Sequence, residues 1–373
     1  MELNEYLVPF NTKDINNEKE TLIQKVIFPQ NNKHKEVAEG SDIAIIGIPY
    51  SGLELKSDEA PQLIRKGLYE LVNPFPDNLK IVDLGNVKKG KTFYDTLIGL
   101  RDVVDYLVKQ EIFTVILGGT GLLKAALVEA LYSEEGSTNY VSIEPSLSMY
   151  SEWSMLSEKI SKNVAIETLG TQSYYLTNAH YRWLEEKKFT DVRLGKVREN
   201  MLNIEPVLRD AHVSTLSINS IRHSEAPAQE RPMPNGFYGE EVAQLARFIG
   251  MADNTKVFGL FDLFANHDIH LHTSYLAGQI VWFVLEGFVN RTIEDPKTSP
   301  NIKKFIVNQN NPSYELIFYK SEKTERWWME IPIRNSKNTK IFSCSYDDYR
   351  IAAEHDVPAR WLNKFQRYNL DSN

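Results

Sequence analysis

A cluster of histidines is the first feature of this sequence whose residue types could do chemistry. The segment 266–273, which follows an apolar run typical of a strand, contains His267, Asp268, His270 and His272. Open α/β sheets bind ligands beyond the carboxyl ends of their strands, and on an extended segment His270 and His272 would point the same way. The imidazole nitrogens could therefore hold a metal ion. A solvated loop with hydrogen-bonded histidines is the alternative.

A glycine-rich stretch is the second candidate. Gly118, Gly119 and Gly121 surround Thr120. The backbone amides of such a stretch could cradle an anion at the start of the following helix. The stretch lacks the lysine of a phosphate-binding loop, so a tight turn before the helix is the alternative.

Glu144 is a carboxylate at the end of the apolar run 141–143. In a partly buried pocket it could act as a general acid or base. Buried polar groups are nearly always hydrogen-bonded, however. The alternative is that Glu144 has no catalytic role and pairs with a neighbour such as Asn219 or Ser217.

Two adjacent tryptophans mark a possible interface. The apolar runs 314–319 and 327–331 flank a polar turn at 321–325 and together predict an aromatic β-hairpin. Trp327 and Trp328 are neighbours on its second strand, so their rings point to opposite faces. One face can pack against the rest of the chain, and the other then needs a partner. Packing of both rings within the chain is the alternative.

The elements that must position these residues alternate between strand-like and helix-like segments. Eight apolar runs are predicted strands: 42–48, 80–84, 113–117, 140–143, 164–169, 191–194, 213–218 and 256–260. The amphipathic segments between them are predicted helices: 59–71, 94–109, 121–131, 173–187, 239–250 and 273–289. This alternation predicts a three-layer α/β/α fold with a mostly parallel eight-stranded sheet.

Three regions follow from this pattern. Residues 1–40 are rich in Asn, Lys and Glu and are predicted to form an N-terminal arm or a short helix that leads into the first strand. Residues 41–290 contain the α/β domain. Residues 291–373 are predicted to form a C-terminal extension, with a proline- and asparagine-rich connector at 291–312, the aromatic hairpin, and one or two helices within 346–368.

The composition narrows the class of protein. The chain has 373 residues, of which 42% are hydrophobic, and a formal net charge of −8. This charge disfavours binding to nucleic acid or to anionic membrane surfaces. The longest apolar stretch, 276–289, is too short to insert across a membrane and is predicted to be a core helix. With no signal-peptide pattern at the start and Cys344 as the single cysteine, a cytoplasmic location is expected.

Motifs between about residues 40 and 290 resemble those of the ureohydrolase superfamily of arginases, agmatinases and formimidoylglutamases. Six segments resemble its structural motifs in order and spacing: 42–50, 60–65, 83–86, 169–172, 234–237 and 273–287. Three others, at 117–122, 141–148 and 215–219, resemble the segments that carry its metal ligands. The resemblance implies an arginase-like fold.

The resemblance also implies which residues stand at the metal positions. Active members of the family hold two Mn²⁺ ions with two histidines and four aspartates, and a bridging hydroxide attacks a guanidinium or formimidoyl carbon. The matching positions are all altered in this chain: Gly121, Glu144, Ser146, Ser148, Ser217 and Asn219. Phe264 stands where the family has a substrate-binding glutamate. We therefore expect neither a bound metal nor another cofactor at these positions.

Three hypotheses for function follow. The first is a catalytically inactive ureohydrolase-fold protein, a pseudoenzyme that serves as a binding or assembly component with a protein partner or as a homo-oligomer. The second is a hydrolase of linear amidines, such as a formimidoylglutamase, with its metal relocated to His267, His270 and His272. The third is a sensor that binds a guanidino or formimino amino acid in the altered pocket.

Overall fold

A mostly parallel sheet forms the centre of the molecule. In a computed structural model, which describes the chain except residues 14, 17, 31–32, 51–58, 133–136, 309–314, 335–337 and 370–373, ten strands form this sheet. They are β1 (Leu7–Val8), β2 (Val26–Ile27), β3 (Ile43–Gly47), β4 (Ile81–Val87), β5 (Phe113–Leu117), β6 (Thr138–Ile143), β7 (Val164–Thr171), β8 (Thr190–Arg193), β9 (Val213–Ser217) and β10 (Val257–Phe261). The order is β1-β4-β3-β5-β10-β9-β6-β7-β8, with β2 beside β4. Among the described strands of this sheet, β1 alone runs antiparallel to its neighbour.

Helices cover both faces of the sheet. They are α1 (His34–Ala38), α2 (Ala60–Tyr69), α3 (Phe93–Lys109), α4 (Lys124–Ala130), α5 (Ser148–Glu152), α6 (Glu158–Lys162), α7 (Asn178–Lys187), α8 (Leu194–Glu199), α9 (Glu205–Arg209), α10 (Gly239–Met251) and α11 (His272–Val289). Alternate residues of β3 enter different apolar clusters, with Ile43 and Ile45 packing on the side of α2, α10 and α11, and Ala44 and Ile46 on the side of α3 and α4. The predicted three-layer fold is confirmed. In the described part of the chain, no helix has the length and apolarity that a membrane crossing requires.

The N-terminal segment contributes to the sheet. It was expected to be an arm or a short helix that leads into the first strand, and α1 lies in it. In addition, β1 pairs with β4 in antiparallel fashion and β2 pairs with β4 in parallel fashion. Each of these strands has only two residues. An alternation of apolar and polar residues cannot be recognised over two positions, so the sequence gives no strand signal here.

A buried arginine fixes helix α2 to the sheet. Arg65 Nε and Nη2 donate to the two oxygens of Asp83 on β4 at 2.6 and 2.8 Å, and both side chains are fully buried. Arg65 Nη1 also donates to Asn86 Oδ1 at 2.7 Å. Two parallel bonds between a guanidinium and a carboxylate fix orientation as well as distance. This pair sets the position of α2 against the edge of the sheet.

The C-terminal extension contains a second sheet. Strands β11 (Ile302–Asn308), β12 (Glu315–Ser321), β13 (Trp327–Pro332) and β14 (Thr339–Cys344) form it in sequence order, and every pairing is antiparallel. Helices α12 (Tyr346–Ala353) and α13 (Ala359–Asn369) follow. The predicted hairpin is β12 with β13; its expected first residue, Tyr314, lies outside the described residues. The predicted connector 291–312 is wrong over 302–308, which forms β11, and its residues 309–312 are outside the described part.

Both tryptophans of the hairpin are covered by the chain itself. Trp327 stacks on Tyr349 of α12 with ring centroids 4.6 Å apart, and it also contacts Phe305 of β11. Trp328 faces the main domain, where the Arg209 guanidinium of α9 lies 4.7 Å from its ring centroid. The two side chains are 7% and 6% exposed. The predicted interface at these two rings is therefore wrong, because the α/β domain covers one face of the hairpin and α12 the other.

Candidate functional site

One cavity gathers the six positions that the resemblance identifies. It has a volume of about 220 Å³ and lies beyond the carboxyl ends of β5, β6, β9 and β10. Parallel sheets place their ligand sites at this edge. The lining includes all of the altered positions, namely Gly121, Glu144, Ser146, Ser148, Ser217 and Asn219.

A lysine that the sequence analysis does not single out enters this site. Lys124, the first residue of α4, donates from Nζ to Glu144 Oε2 at 2.8 Å and to Ser148 Oγ at 3.2 Å. The two charged side chains are only 1% and 3% exposed. Burial alone would lower the pKa of the Lys124 ammonium, but the Glu144 carboxylate reverses this and raises that pKa above its ordinary value. The site therefore contains a permanent positive charge supplied by the protein.

This contact corrects the expected partner of Glu144. The sequence suggested Asn219 or Ser217, whereas Glu144 accepts from Lys124. Lys124 was missed because it lies within a segment with helical periodicity, where a single lysine is usually exposed to solvent. Its position three residues after the altered Gly121, on the first turn of a helix that starts at the sheet edge, is the signal that could have revealed it.

Asp262 is a second residue that the sequence analysis missed. It follows β10 directly and accepts from the backbone N–H of Gly121 at 2.7 Å and from Ser217 Oγ at 2.6 Å. Its backbone is in the left-handed region, with φ of 64°. Such a conformation in a residue other than glycine is costly and often occurs at functional sites. Asp262 thus joins two of the altered positions, while Phe264 stacks on His267 with centroids 6.3 Å apart.

Glu152 lies at the end of α5 and lines the same cavity. Its side chain is buried at 1% exposure, and this burial raises its pKa to about 8. The Lys124 ammonium lowers the value, whereas the Glu144 and Asp262 carboxylates raise it further. At neutral pH, Glu152 is therefore mostly protonated and uncharged.

Three oxygen atoms at this cavity have no hydrogen-bond partner among the described residues: Glu144 Oε1, Glu152 Oε2 and Asn219 Oδ1. Glu144 Oε1 and Asn219 Oδ1 are buried acceptors, and leaving such an atom without a donor costs about 1–3 kcal/mol. Glu152 is mostly protonated and can donate as well as accept. Glu144 uses its other oxygen for Lys124. Two buried acceptors without partners therefore lie in the walls of the cavity.

The residues present do not fit a dinuclear manganese centre. Manganese prefers carboxylate and imidazole donors. The six positions offer one carboxylate, one amide, three hydroxyls and no side chain at Gly121, and the carboxylate is already bonded to an ammonium. Throughout the described residues, no group of three His, Cys, Asp or Glu side chains is arranged to hold a metal.

The histidine cluster is not brought together as a metal site in the described part of the chain. His267 and His270 lie in two short 3-10 helices, Ala265–His267 and Ile269–Leu271, and His272 begins α11. His267 Nδ1 is 2.6 Å from the Gln229 carbonyl oxygen. His270 has φ of 56°, so the segment is not extended, and the expected shared direction of His270 and His272 is lost. The segment 266–273 therefore fits the alternative prediction, a solvated loop with hydrogen-bonded histidines.

The raised pKa of Glu152 predicts a pH dependence of stability. Because its folded pKa of about 8 is above the ordinary 4.5, the folded state binds the proton more tightly, and stability is lost as pH rises between these values. Relative to a Glu152→Gln variant, the unchanged protein should lose about 1.4 kcal/mol of unfolding free energy for each pH unit in that window. Urea unfolding at several pH values measures this difference. Parallel curves for the two proteins would contradict the assignment.

The fold is similar to that of several solved hydrolases. Trypanosoma cruzi formiminoglutamase with Mn²⁺ has a TM-score of 0.60 and 17% identity, with 68% of this chain and 96% of that chain covered. Formimidoylglutamase from Bacillus subtilis has a TM-score of 0.62 and 16% identity, with 76% and 95% covered. Proclavaminate amidinohydrolase from Streptomyces clavuligerus has a TM-score of 0.57 and 20% identity, with 68% and 94% covered. No protein-family model and no curated protein matches the sequence. At these identities the likeness shows the arginase-like fold.

Proposed function

We propose that this chain, with its arginase-like fold, is a non-catalytic binding component in which a lysine replaces the metal ions of that fold. The observation that carries the proposal is the buried pair of Lys124 and Glu144, in which the Glu144 carboxylate lines the cavity and Lys124 lies behind it. The ammonium supplies positive charge where an active relative would hold its metals. The Glu144 carboxylate is thereby neutralised without a dissociable ion.

The chemistry of an ammonium differs from that of a metal. A catalytic metal lowers the pKa of its bound water from about 15.7 to about 7 and so generates hydroxide at neutral pH. A protonated amine has no coordination position for water and cannot do this. Lys124 stays protonated because the Glu144 carboxylate raises its pKa. Lys124 can therefore hold the Glu144 carboxylate in place but cannot supply the hydroxide that amidine hydrolysis needs.

The direct test is the metal content of the protein. We expect inductively coupled plasma mass spectrometry to find almost no bound metal after expression with added manganese, zinc and iron and purification without chelator. Assays with arginine, agmatine and formiminoglutamate should show no hydrolysis above the uncatalysed rate. One or two ions retained per chain, together with turnover, would instead support the relocated-metal hydrolase. A His270→Ala variant would then show whether the histidine loop holds the ion.

A sensor of a guanidino or formimino amino acid is the second candidate, and the two buried acceptors without partners favour it. Guanidinium and amidinium groups carry several N–H donors that could satisfy Glu144 Oε1 and Asn219 Oδ1. At neutral pH the charges of Glu144 and Asp262 exceed that of Lys124 by one, since Glu152 is mostly protonated. A monocation would restore the balance.

Matched ligands test this candidate. If the cavity binds a guanidinium group, arginine should raise the melting temperature, whereas citrulline, which has a neutral urea group in the same place, should not. A ligand at one hundred times its Kd stabilises a protein by about 2.7 kcal/mol. An Asn219→Leu variant should lose the effect. Equal shifts with arginine and citrulline, or no shift with either arginine or formiminoglutamate, would count against the sensor.

A protein partner or a homo-oligomer stays a prediction. The surface first suggested for it is covered within the chain, because Trp327 and Trp328 are both buried. Sedimentation velocity on the purified chain at several concentrations tests self-association. A single species of monomer mass would rule out the homo-oligomer. A different protein would then be the expected partner.

A further inference from the structure

A second and larger cavity lies between the α/β domain and the C-terminal helices. Its volume is about 680 Å³, within the ~300–1,000 Å³ range of small-molecule pockets. Its walls come from β7 and β8, the segment 196–207, and helices α12 and α13. Among the described residues it shares no lining side chain with the cavity at Glu144.

One face of α13 supplies cations to this cavity. Arg360, Lys364 and Arg367 are spaced by four and three residues, so they lie on one side of the helix. Lys364 Nζ donates to Glu167 Oε1 at 2.6 Å, and Arg360 donates to Glu167 Oε2 at 3.2 Å and to Asp210 Oδ2 at 2.8 Å. The carboxylate of Glu167 is thus shared by two cations.

Two more cations at this wall have no carboxylate partner in the described structure. Arg367 donates to the backbone carbonyl oxygens of Val164 and Lys187. Burial lowers the pKa of the Arg367 guanidinium, although Tyr368 and the Glu167 carboxylate act in the opposite direction. Lys188 lies next to Lys187, lines the cavity and makes no ion pair with a described residue. The wall therefore has four cations against the two carboxylates of Glu167 and Asp210.

The other walls reduce this excess without removing it. They add the cations Lys196 and Arg350, which pair with Glu199 and Asp347, and the carboxylate of Asp348, which caps the start of α12 by accepting from Ser345. The excess of two positive charges thereby falls to one. Much of the remaining lining is apolar, namely Ile166, Val192, Ile204, Val207 and Ile351. The cavity combines an apolar surface with a wall of excess positive charge.

We propose that this cavity binds a small organic anion, a carboxylate with an apolar body, whose charged group lies among Lys188, Lys364 and Arg367. The apolar body would lie on the isoleucines and valines that line the cavity. Each cation that lacks a full carboxylate partner gains a charge-assisted hydrogen bond. This site is independent of the function proposed above, because the two cavities have separate linings.

Isothermal titration calorimetry with a matched pair of probes tests the proposal on the full chain. 3-Phenylpropionate should bind, and 3-phenylpropionamide, with the same shape and no charge, should bind about tenfold more weakly or worse. Inorganic phosphate should bind more weakly than 3-phenylpropionate, since it has no apolar part. Equal affinity of the acid and the amide, equal affinity of phosphate and the acid, or no binding of the acid at millimolar concentration would each overturn the proposal.

Variants of residues that line the cavity test whether 3-phenylpropionate binds there. Lys188 is exposed and makes no ion pair with a described residue, so Lys188→Gln should fold normally and raise the Kd of 3-phenylpropionate by about fivefold. Arg367→Gln should raise it by about tenfold or more. Arg182→Gln, an exposed position on α7 outside the lining, is the control for net charge and should leave the Kd unchanged. An equal effect of Lys188→Gln and Arg182→Gln would contradict the placement.

Discussion

Replacing Lys124 by methionine should lower the free energy of unfolding by about 3–5 kcal/mol. Methionine fills a similar volume but removes the ammonium, and the Glu144 carboxylate would remain buried at 3% exposure without its ion-pair partner. An uncompensated buried charge is costly in a medium of low dielectric constant. Equilibrium unfolding in urea measures the loss.

Two further variants make this result specific. Lys109→Met removes an exposed lysine that pairs with Asp105 at 2.7 Å, and it should cost less than about 1 kcal/mol. The double change Lys124→Met with Glu144→Leu removes both charges and should regain most of the stability lost in the single variant. A single variant as stable as the unchanged protein would show that Glu144 becomes protonated or solvated at little cost. The ion pair would then not define the cavity.

Glu167→Gln should lower the unfolding free energy by a similar amount, about 3–5 kcal/mol, and should loosen the C-terminal helices. The Glu167 carboxylate on β7 forms ion pairs with both Lys364 and Arg360 of α13. All three residues lie where the α/β domain contacts the C-terminal extension. Without the carboxylate, two cations face each other across a buried position. Hydrogen exchange should show faster opening of α13 than of the central sheet.

The same carboxylate predicts an acid-dependent loss of stability. Burial favours its neutral form, but the Lys364 and Arg360 cations outweigh this and lower the pKa of Glu167 to about 2. The ordinary value is 4.5, so the folded state prefers the ionised form. The stabilisation is complete above about pH 4.5 and disappears as pH falls towards 2, a total of about 3 kcal/mol.

Unfolding measured from about pH 5 to pH 2 should therefore show a steeper loss for the unchanged protein than for Glu167→Gln. Glu185→Gln is a suitable control, because Glu185 is exposed on α7 and such surface changes usually alter stability by less than about 0.5 kcal/mol. If the curves of the unchanged protein and Glu167→Gln ran in parallel through this range, the assigned pKa would be wrong.

Helices and strands were predictable from the sequence where a hydrophobic pattern extends over several residues. Strand β5 was predicted with its observed limits, because Phe113–Leu117 is a continuous apolar run buried on both faces. Strand β11 was missed, since Ile302–Asn308 contains two lysines and follows two prolines in a segment that resembles a connector. Its lysines and Ile306 are exposed, while Ile302, Phe305 and Val307 are half-buried, at an edge of the small sheet, where lysines are common.

The site was predictable in outline but not in its electrostatics. Aligned motifs fix which strand ends meet, so the six altered positions could be named before their common cavity was seen. The reach of a long side chain cannot be derived from spacing alone. Lys124 could have extended into solvent, and only the packing of α4 against the sheet directs it to Glu144. The partners of Trp327 and Trp328 were missed for the same reason, since their contacts come from distant segments.

The ion pair of Lys124 and Glu144 also changes how the cavity depends on its surroundings. A bound ion stabilises a fold only in proportion to the logarithm of its free concentration. The lysine ammonium is part of the polypeptide, so its occupancy is complete in every molecule as soon as the chain has folded. Chelators, a shortage of manganese and competing transition metals therefore cannot remove the positive charge of the Lys124–Glu144 pair. The formation of this pair does not depend on the cellular metal supply.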